Sequence, residues 1–282
     1  MTSAYKRVLT IQDISCVGQC SLTVALPIIS ACGMETAVLP SAVLSTHTGG
    51  FKGYTFRDLT DDMPKILAHW QKEKIFFDVF YTGYLGSAKQ VEYVLDILNS
   101  VRKQDSVNIV DPAMADNGKL YPGFDDAFVE AMRPLVSAAD YVLPNITEAA
   151  LLTGNDYREF YNEDYIKKLS ADLVALGAKA VVLTGVSYTP QTTGVSVFEN
   201  GKISYYAHRK IEGGCHGTGD VYASAFVGAL SRGNSPFKSA KIAADYTVKC
   251  IENTQGDKEH WYGVKFETAI STLLSALNGA VK

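Results

Sequence analysis

GGCHGTGDVYASAF, residues 213–226, is a glycine-rich loop that passes a single carboxylate and runs directly into an apolar helical pattern. Gly217, Thr218 and Gly219 can bring consecutive backbone N–H groups close to an anion, because glycine adopts dihedral angles that a Cβ atom forbids. A helix that opens at about Gly219 adds the positive end of its dipole at the same point. The stretch therefore predicts an anion-binding loop at a helix N-terminus.

Asp220 stands in the first turn of this helix, beside the predicted anion site. A carboxylate there repels a phosphate, so its presence needs a chemical reason. The simplest is that Asp220 takes a proton from a hydroxyl group that attacks the phosphate. The alternative is an acidic residue that only complements the helix dipole.

Strand and helix patterns alternate along the rest of the chain. The predicted strands are 7–12, 36–39, 78–82, 107–110, 141–143 and 180–183, with a hairpin of 194–198 and 203–207 around Asn200-Gly201. The predicted helices are 21–32, 61–72 with Thr60 as N-cap, 88–102, 125–136, one that starts at 144–149, 164–176, 220–231, 236–254 and 265–277. This alternation predicts an α/β fold of three layers, in which a mostly parallel central sheet has helices on both faces. No linker or repeat divides residues 1–282, which we interpret as a single domain.

The composition excludes several classes of protein. Hydrophobic residues make up 47% of the 282 residues and charged residues 20%, which is ordinary globular composition. A net charge of −4 without a basic run argues against a nucleic-acid partner, and no apolar run is long enough for a membrane span. We see no signal peptide, and the five cysteines are scattered in a way that fits reduced thiols. We therefore expect a cytoplasmic protein.

In a sheet of this kind, ligands collect beyond the carboxyl ends of the strands. The polar residues at those ends are Asp13, Thr48, Gly83, Asp111, Asn145, Thr184 and the loop before Asp220. Asp13 follows the first strand, where it either caps the next turn or contacts a ligand. The loop 41–56 contains Thr48 among hydroxyls and glycines, and is either a connection or a flap over a small molecule.

Two further groups of polar residues have alternative interpretations. Asp111 and Asp116 flank a proline turn; they hold Mg²⁺ through water or are solvated acids. Glu148 lies in the first turn of a helix, where an acid is favourable on structural grounds alone. Tyr84, between two glycines, offers a flat apolar face with a polar tip. Spacings for zinc ligands, the Walker lysine motif and the dinucleotide fingerprint are absent from the sequence.

Together these segments resemble the pyridoxal kinase branch of the ribokinase-like superfamily over nearly the whole chain. The matching motifs are STHTGG at 45–50, TGYLGSA at 82–88, DPxM at 111–114, PNxTE at 144–148 and GTGD at 217–220. Five motifs in the family's order, each at a strand end, make coincidence improbable. The resemblance implies phosphorylation of the 5′-hydroxyl of pyridoxal, pyridoxine or pyridoxamine by ATP with Mg²⁺, and leaves a monovalent-cation requirement open. A homodimer is the expected assembly.

The resemblance also implies roles for individual residues. Asp220 matches the catalytic base, and the backbone of Gly217, Thr218 and Gly219 matches the anion hole. The positions that match nucleotide contacts are Asp111, Asp116, Tyr121, Asn145, Glu148, Thr184 and Gly185, of which Asp111 and Glu148 match the magnesium site. The positions expected near the pyridine substrate are Asp13, Thr48, Gly49 and Tyr84.

One position departs from the family pattern and one separates close relatives. Many pyridoxal kinases have serine where this chain has Asp13, which leaves the preferred vitamer open. Hydroxymethylpyrimidine kinases of the same fold usually have cysteine where this chain has Asp220, so GTGD favours a pyridoxal kinase. The alternatives are a hydroxymethylpyrimidine or sugar kinase and a nucleotide-binding relative without activity. The intact Asp220 argues against the last of these.

Overall fold

The strands form one large sheet and one small hairpin. The computed structural model describes residues 5–211 and 215–279, so Gly213 and Gly214 of the glycine-rich stretch lie outside the described residues. The strands are β1 (Arg7–Ser15), β2 (Glu35–Leu44), β3 (Phe56–Asp58), β4 (Phe77–Thr82), β5 (Arg102–Val110), β6 (Ala115–Asp116), β7 (Lys119–Leu120), β8 (Tyr141–Val142), β9 (Ala180–Thr189), β10 (Thr192–Glu199) and β11 (Lys202–Arg209). Nine of them pair in the order β11-β10-β9-β8-β5-β4-β1-β2-β3, and β6 pairs with β7.

Helices fill the connections between the strands. They are α1 (Leu22–Ala31), α2 (Met63–Lys72), α3 (Ala88–Ser100), α4 (Asp126–Ser137), α5 (Ile146–Thr153), α6 (Glu163–Ala175), α7 (Thr218–Ser231), α8 (Pro236–Thr254) and α9 (Ile270–Asn278). The central strands from β2 to β9 pair in parallel, whereas β3, β10 and β11 pair antiparallel at the two edges. The predicted α/β fold with a mostly parallel sheet is confirmed.

The alternation of side chains along each strand divides the core between the two faces of the sheet. In β9, Val181 and Leu183 pack with the helices α2 to α6 on one face. Val182 between them packs with α1, α7, α8 and α9 on the other face. Because successive side chains of a strand point to opposite faces, a buried parallel strand has a continuous apolar run. Two apolar cores therefore fix the sheet between two layers of helices.

The hairpin turn agrees with its prediction. Asn200 and Gly201 have φ angles of 52° and 73°, so both central residues are left-handed, as a tight two-residue hairpin turn requires. The flanking strands are longer than predicted, from Thr192 to Arg209.

Other boundaries differ from the predictions for identifiable reasons. Thr60 is not the N-cap of α2: its hydroxyl and its N–H both bind Asp58, and a 3₁₀ turn at Thr60–Asp62 precedes the helix. Arg102 was assigned to a helix, but it begins β5 by pairing with Phe77.

The C-terminal segment contains two elements where one helix was predicted. The Lys265 N–H binds the Thr254 hydroxyl at 2.8 Å, and a 3₁₀ turn at Phe266–Ala269 then leads into α9. The short strand β3 and the hairpin of β6 and β7 were not predicted, since two or three residues are too few to show a period.

Candidate active site

Main-chain hydrogen bonds fix the strand ends side by side at one edge of the sheet. The Gly83 N–H donates to the Ile11 carbonyl at 3.0 Å, and the Asp111 N–H donates to the Thr82 carbonyl at 2.8 Å. Farther along, the Thr184 N–H donates to the Pro144 carbonyl at 2.9 Å. These strand ends therefore lie along one edge of the sheet, where ligands bind in an open α/β sheet and which we call the candidate cleft.

The glycine-rich loop enters α7 through Gly217, which takes the N-cap position with φ 75°. A Cβ atom on Gly217 would lie 1.8 Å from the Gln19 carbonyl oxygen, so only glycine fits there. The helix begins at Thr218, one residue before the predicted opening. Apart from its chain neighbours and the backbone of its own helix turn, no atom of residues 5–211 and 215–279 lies within 4 Å of a Cβ placed on Gly219, so this side of the backbone has room for a ligand. The free N–H groups of the first helical turn can bind an anion here.

Asp220 lies in the first turn of α7 and is half-buried. Burial raises the pKa of Asp220 to about 7, the N–H of Ser21 lowers it, and the negative charge of Asp13 raises it further. A carboxylate that titrates near neutral pH can take up a proton from a substrate and release it again.

Asp13 is placed differently from the prediction, since it lies inside β1 instead of following it. The register of β1 against β2 shifts between Gln12 and Ile14, and Asp13 sits at this irregularity. The side chain is only 4% exposed, and burial raises its pKa despite hydrogen bonds from Ser15 and Ser21. The Ser15 hydroxyl donates to Asp13 at 2.9 Å.

Tyr84 lies close to Asp13. Burial raises the pKa of Tyr84 to about 12, with a smaller contribution from the charge of Asp13. Its ring lies 5.5 Å from that of Phe124. The charge of Asp13 therefore acts on both Tyr84 and Asp220.

Glu148 and Asn145 form a capping box at the start of α5. The Asn145 side chain accepts the Glu148 N–H at 2.9 Å, and Glu148 accepts the Asn145 N–H at 2.9 Å. Glu148 also accepts the N–H groups of Met114 and Ala115, at 2.9 Å and 3.4 Å. Burial nevertheless raises its pKa to about 7, because these bonds only partly offset the loss of water. Glu148 is thus a structural residue as well as a candidate metal ligand.

Asp111 lies between the two sides of the cleft. Burial raises its pKa well above the ordinary value, and the charges of Glu148 and Asp220 raise it further. Burial raises the pKa of Tyr121 most. The charges of four carboxyl groups raise it further, those of Glu148, Asp111, Asp116 and Asp220. Asp116 is exposed, and Asn117 donates to both its oxygens.

Thr184 and Gly185 lie at a bulge in β9. Val195 pairs with Thr184 and Gly194 pairs with Val186, so Gly185 is left unpaired. Gly185 has φ 72° and faces open space, which leaves the backbone accessible to a ligand. Thr184 also pairs with Asn145 through an isolated bridge, which brings two of the predicted nucleotide residues together.

The loop after β2 is fixed by His47 instead of Thr48. Thr48 is exposed, whereas His47 is 5% exposed, accepts the Gly49 N–H at 3.0 Å and lies 2.7 Å from the Tyr262 carbonyl. His47 and Ser21 were not predicted as site residues. A histidine inside a predicted motif was the available signal for the first, and a serine at a helix start indicates only an N-cap.

The acidic residues of the cleft fit a magnesium ion. Among residues 5–211 and 215–279, no group of three or more His, Cys, Asp or Glu side chains could hold a metal ion by itself. Mg²⁺ is usually bound by one or two carboxylates together with substrate phosphates and waters. Asp111 and Glu148 supply oxygen ligands of this kind. Since three N–H groups already bind Glu148, contact through water suits it best.

Comparisons with known proteins agree with this fold. The sequence profile of the phosphomethylpyrimidine kinase family matches residues 29–264. The chain is 28% identical over 186 residues to the hydroxymethylpyrimidine/phosphomethylpyrimidine kinase of Bacillus subtilis, which covers 64% of this chain and 65% of that protein. The chain therefore spans just under two thirds of the length of this curated relative.

Two solved structures are similar over nearly their whole length. One is a Bacteroides thetaiotaomicron protein assigned to the phosphomethylpyrimidine kinases, in a crystal form with pyridoxal, with TM-score 0.91, 35% identity, and coverage of 95% of this chain and 96% of that one. The other is the pyridoxal kinase of Lactobacillus plantarum, with TM-score 0.90, 33% identity, and coverage of 98% and 99%.

Within the described residues, no helix is both long and apolar enough to cross a membrane. The fold is that of these kinases. The chain belongs to the phosphomethylpyrimidine kinase family, a ribokinase-like group of small-molecule kinases that includes pyridoxal kinases.

Proposed function

We propose that the protein transfers the γ-phosphoryl group of ATP to the 5′-hydroxyl of pyridoxal, pyridoxine or pyridoxamine, in the salvage of vitamin B6. The observation that carries this proposal is the desolvated Asp220 carboxylate at the open N-terminus of α7. A helix N-terminus binds a phosphate, and a carboxylate beside it has a use when a hydroxyl must lose its proton.

In the proposed reaction, Asp220 accepts the proton of the 5′-hydroxyl while its oxygen attacks the γ-phosphorus. The bond between this phosphorus and the bridging oxygen breaks, and ADP leaves with that electron pair. The N–H groups at Gly217, Thr218 and Gly219 bind the transferred phosphoryl oxygens, where charge must be neutralised. Phosphoryl transfer needs this positioning more than covalent help.

The other residues bind the two substrates. Asp111, Asp116, Tyr121, Asn145, Thr184 and Gly185 are the proposed nucleotide contacts, and Asp13, Thr48, Gly49 and Tyr84 are the proposed vitamer contacts. Asp111 and Glu148 would hold Mg²⁺, which supplies charge neutralisation on the phosphates when it is bound.

A B6 vitamer is favoured by the likeness to a structure that contains pyridoxal and to a pyridoxal kinase, each over at least 95% of this chain. Asp220 in place of cysteine points the same way. Phosphorylation of hydroxymethylpyrimidine is the second candidate, because the Bacillus subtilis relative carries that activity in its name and the family profile names the related phosphomethylpyrimidine.

The test is an incubation with ATP, Mg²⁺ and a panel of the three vitamers and hydroxymethylpyrimidine, scored by the mass gain of one phosphoryl group. Phosphorylated vitamer supports the proposal. Product from hydroxymethylpyrimidine alone would replace it with the second candidate, and no product from any member would leave a binding protein without turnover. We also propose that the protein is cytoplasmic and forms a homodimer. Light scattering on the purified protein would test the homodimer.

A further inference from the structure

The turn that joins β1 to α1, residues 16–21, is packed tightly against the glycine-rich loop. The Gln19 carbonyl oxygen occupies the space that a Cβ atom on Gly217 would need, and the Cys20 sulfur lies 3.4 Å from the same point. On its other side, the Gln19 side chain lies 2.4 Å from a Cβ placed on Gly263. A displacement of this turn must therefore displace the loop that leads to Asp220.

Ser21, the last residue of this turn, has an unusual backbone. Its angles are φ 53° and ψ −131°, a left-handed conformation that glycine adopts readily and serine does not. The other serines in N-cap positions, Ser87 and Ser235, are extended, and each accepts an N–H from the first turn of its helix. The Ser21 side chain makes no such cap. A strained residue persists only where its surroundings hold it, and such residues cluster at functional sites.

The surroundings that hold Ser21 are two carboxylates. Its hydroxyl lies beside Asp13 and its N–H lies beside Asp220, where each lowers the pKa of that carboxyl group. Ser21 is 6% exposed and Asp13 is 4% exposed, so water cannot easily replace either contact. The Ser15 hydroxyl, which also donates to Asp13, fixes that carboxylate from the strand side.

We propose that Ser21 is a positioning residue for Asp220: Asp13 holds the Ser21 hydroxyl, and the strained backbone thereby aims the Ser21 N–H at the Asp220 carboxylate. This inference rests on the proposed function, in which Asp220 is the base. It assigns to Asp13 a role in fixing the turn, whatever contact it makes with a substrate.

Ser21, His47 and Asp13 are also the residue types of a hydrolytic triad, but His47 cannot serve as its base. Its Nδ1 accepts the Gly49 N–H, so its Nε2 must carry the proton that binds the Tyr262 carbonyl. Neither nitrogen is left to take a proton from a serine. The charge of His47 would act on Asp13 only from a distance.

The first experiment separates activity from stability with three variants. Ser21→Ala keeps the strained backbone and loses the hydroxyl, whereas Ser21→Gly loses the hydroxyl and relieves the strain. We expect kcat to fall in both by about 10-fold to 100-fold, since a small misplacement of a catalytic group can have an effect of that size. The melting temperature should fall only in Ser21→Ala, and the KM for ATP should stay within about twofold in both.

Ser235→Ala is the matched control, because it removes the serine hydroxyl that caps α8 by accepting the Lys238 N–H. It should lower the melting temperature and retain native kcat. A kcat that follows the melting temperature across the three variants, or native kcat in Ser21→Gly, overturns the proposal.

The second experiment does not depend on activity. In ¹H–¹⁵N spectra of the native protein, the Ser21 amide signal should move as the pH passes through about 7, where Asp220 changes charge. The movement should disappear in Asp220→Asn and persist in Glu148→Gln. A Ser21 signal that titrates identically in the native protein and in Asp220→Asn overturns the positioning role, even if no vitamer is phosphorylated. A signal that behaves as expected in a protein without turnover contradicts only the proposed function.

Discussion

Glu148 and Asp220 are both the third residue of a helix, yet their surroundings differ. Glu148 follows Asn145 in α5, and the two side chains cap the helix reciprocally. Asp220 follows Gly217 in α7, where the N-cap has no side chain and makes no side-chain hydrogen bond. Burial raises the pKa of each carboxyl group to about 7.

A shared pKa does not give these two carboxyl groups a shared function, because their hydrogen-bond partners differ. Three backbone N–H groups bind Glu148 and occupy most of its lone pairs. Asp220 receives the Ser21 N–H, and glycine at the N-cap leaves the first-turn N–H groups open to a phosphate. The same helical position therefore gives a structural carboxylate in α5 and a candidate base in α7.

Replacement of Asp220 is expected to have the largest effect. Asp220→Asn should lower kcat by roughly 10²–10⁴-fold, the usual range for a lost general base, which corresponds to about 3–5 kcal/mol. ATP binding should survive. Turnover close to the native value, measured at saturating ATP and vitamer, would contradict the assignment.

The thermal stability of Asp220→Asn is a second measurement that distinguishes Asp220 from Glu148. A carboxyl group whose pKa is raised on folding binds more protons in the folded state, so its stability contribution declines as the pH rises from about 4 to about 7. The asparagine variant lacks that charge. We expect a melting temperature at pH 8 equal to or above the native value, and a clear decrease would show that Asp220 has a structural role like that of Glu148.

The pH dependence of the native enzyme's activity should show the titration of the Asp220 carboxylate. Because Asp220 acts in its charged form and titrates at about 7 in the free enzyme, kcat/KM should fall about tenfold per pH unit below that value. Glu148 titrates in the same range, so its variant is the control. If the acidic limb persists in Glu148→Gln, it belongs to Asp220; if it is lost there, it reports Glu148.

Replacement of Asp13 tests which part of the vitamer its carboxylate contacts. Pyridoxamine carries an ammonium group on its 4′ carbon, and a charge-assisted hydrogen bond to Asp13 is worth about 1.5–3 kcal/mol. Asp13→Ser should then weaken kcat/KM for pyridoxamine selectively. An equal loss for all three vitamers would instead indicate contact with the shared ring or the loss of the turn that Asp13 fixes.

Glu148→Gln should have a smaller effect on rate but a visible effect on stability. The amide cannot accept from N–H donors on both sides, and an unsatisfied buried donor costs about 1–3 kcal/mol. We expect a lower melting temperature and a higher Mg²⁺ concentration for half-maximal rate. If only the melting temperature changes, Glu148 is a cap and not a metal ligand.

The sequence predicted what depends on local pattern. Alternating strands and helices indicated the mostly parallel sheet, and Asn200-Gly201 indicated its hairpin, because hydrophobic period and turn chemistry are properties of neighbouring residues. GTGD indicated the loop at α7 for the same reason.

What the sequence could not predict depends on contacts between distant segments. The backbone of Ser21 is strained, and its turn packs through Gln19 against Gly217, almost two hundred residues later in the chain. Likewise, an acid in the first turn of a helix did not reveal that Glu148 also binds the N–H groups of Met114 and Ala115. Short edge strands such as β3 are too short to show an alternation of apolar and polar residues in the sequence.

The smallest expected effect belongs to Cys215, which lies two residues before Gly217. Burial raises the pKa of its thiol, so the thiolate that a nucleophile requires is scarce at neutral pH. The proposed reaction also needs no covalent intermediate, since the substrate hydroxyl attacks directly. Cys215→Ser should therefore keep most of the activity, with the exposed Cys16→Ser as the matched control. A loss of more than about tenfold in Cys215→Ser alone, about 1.4 kcal/mol, would make Cys215 a participant in the reaction.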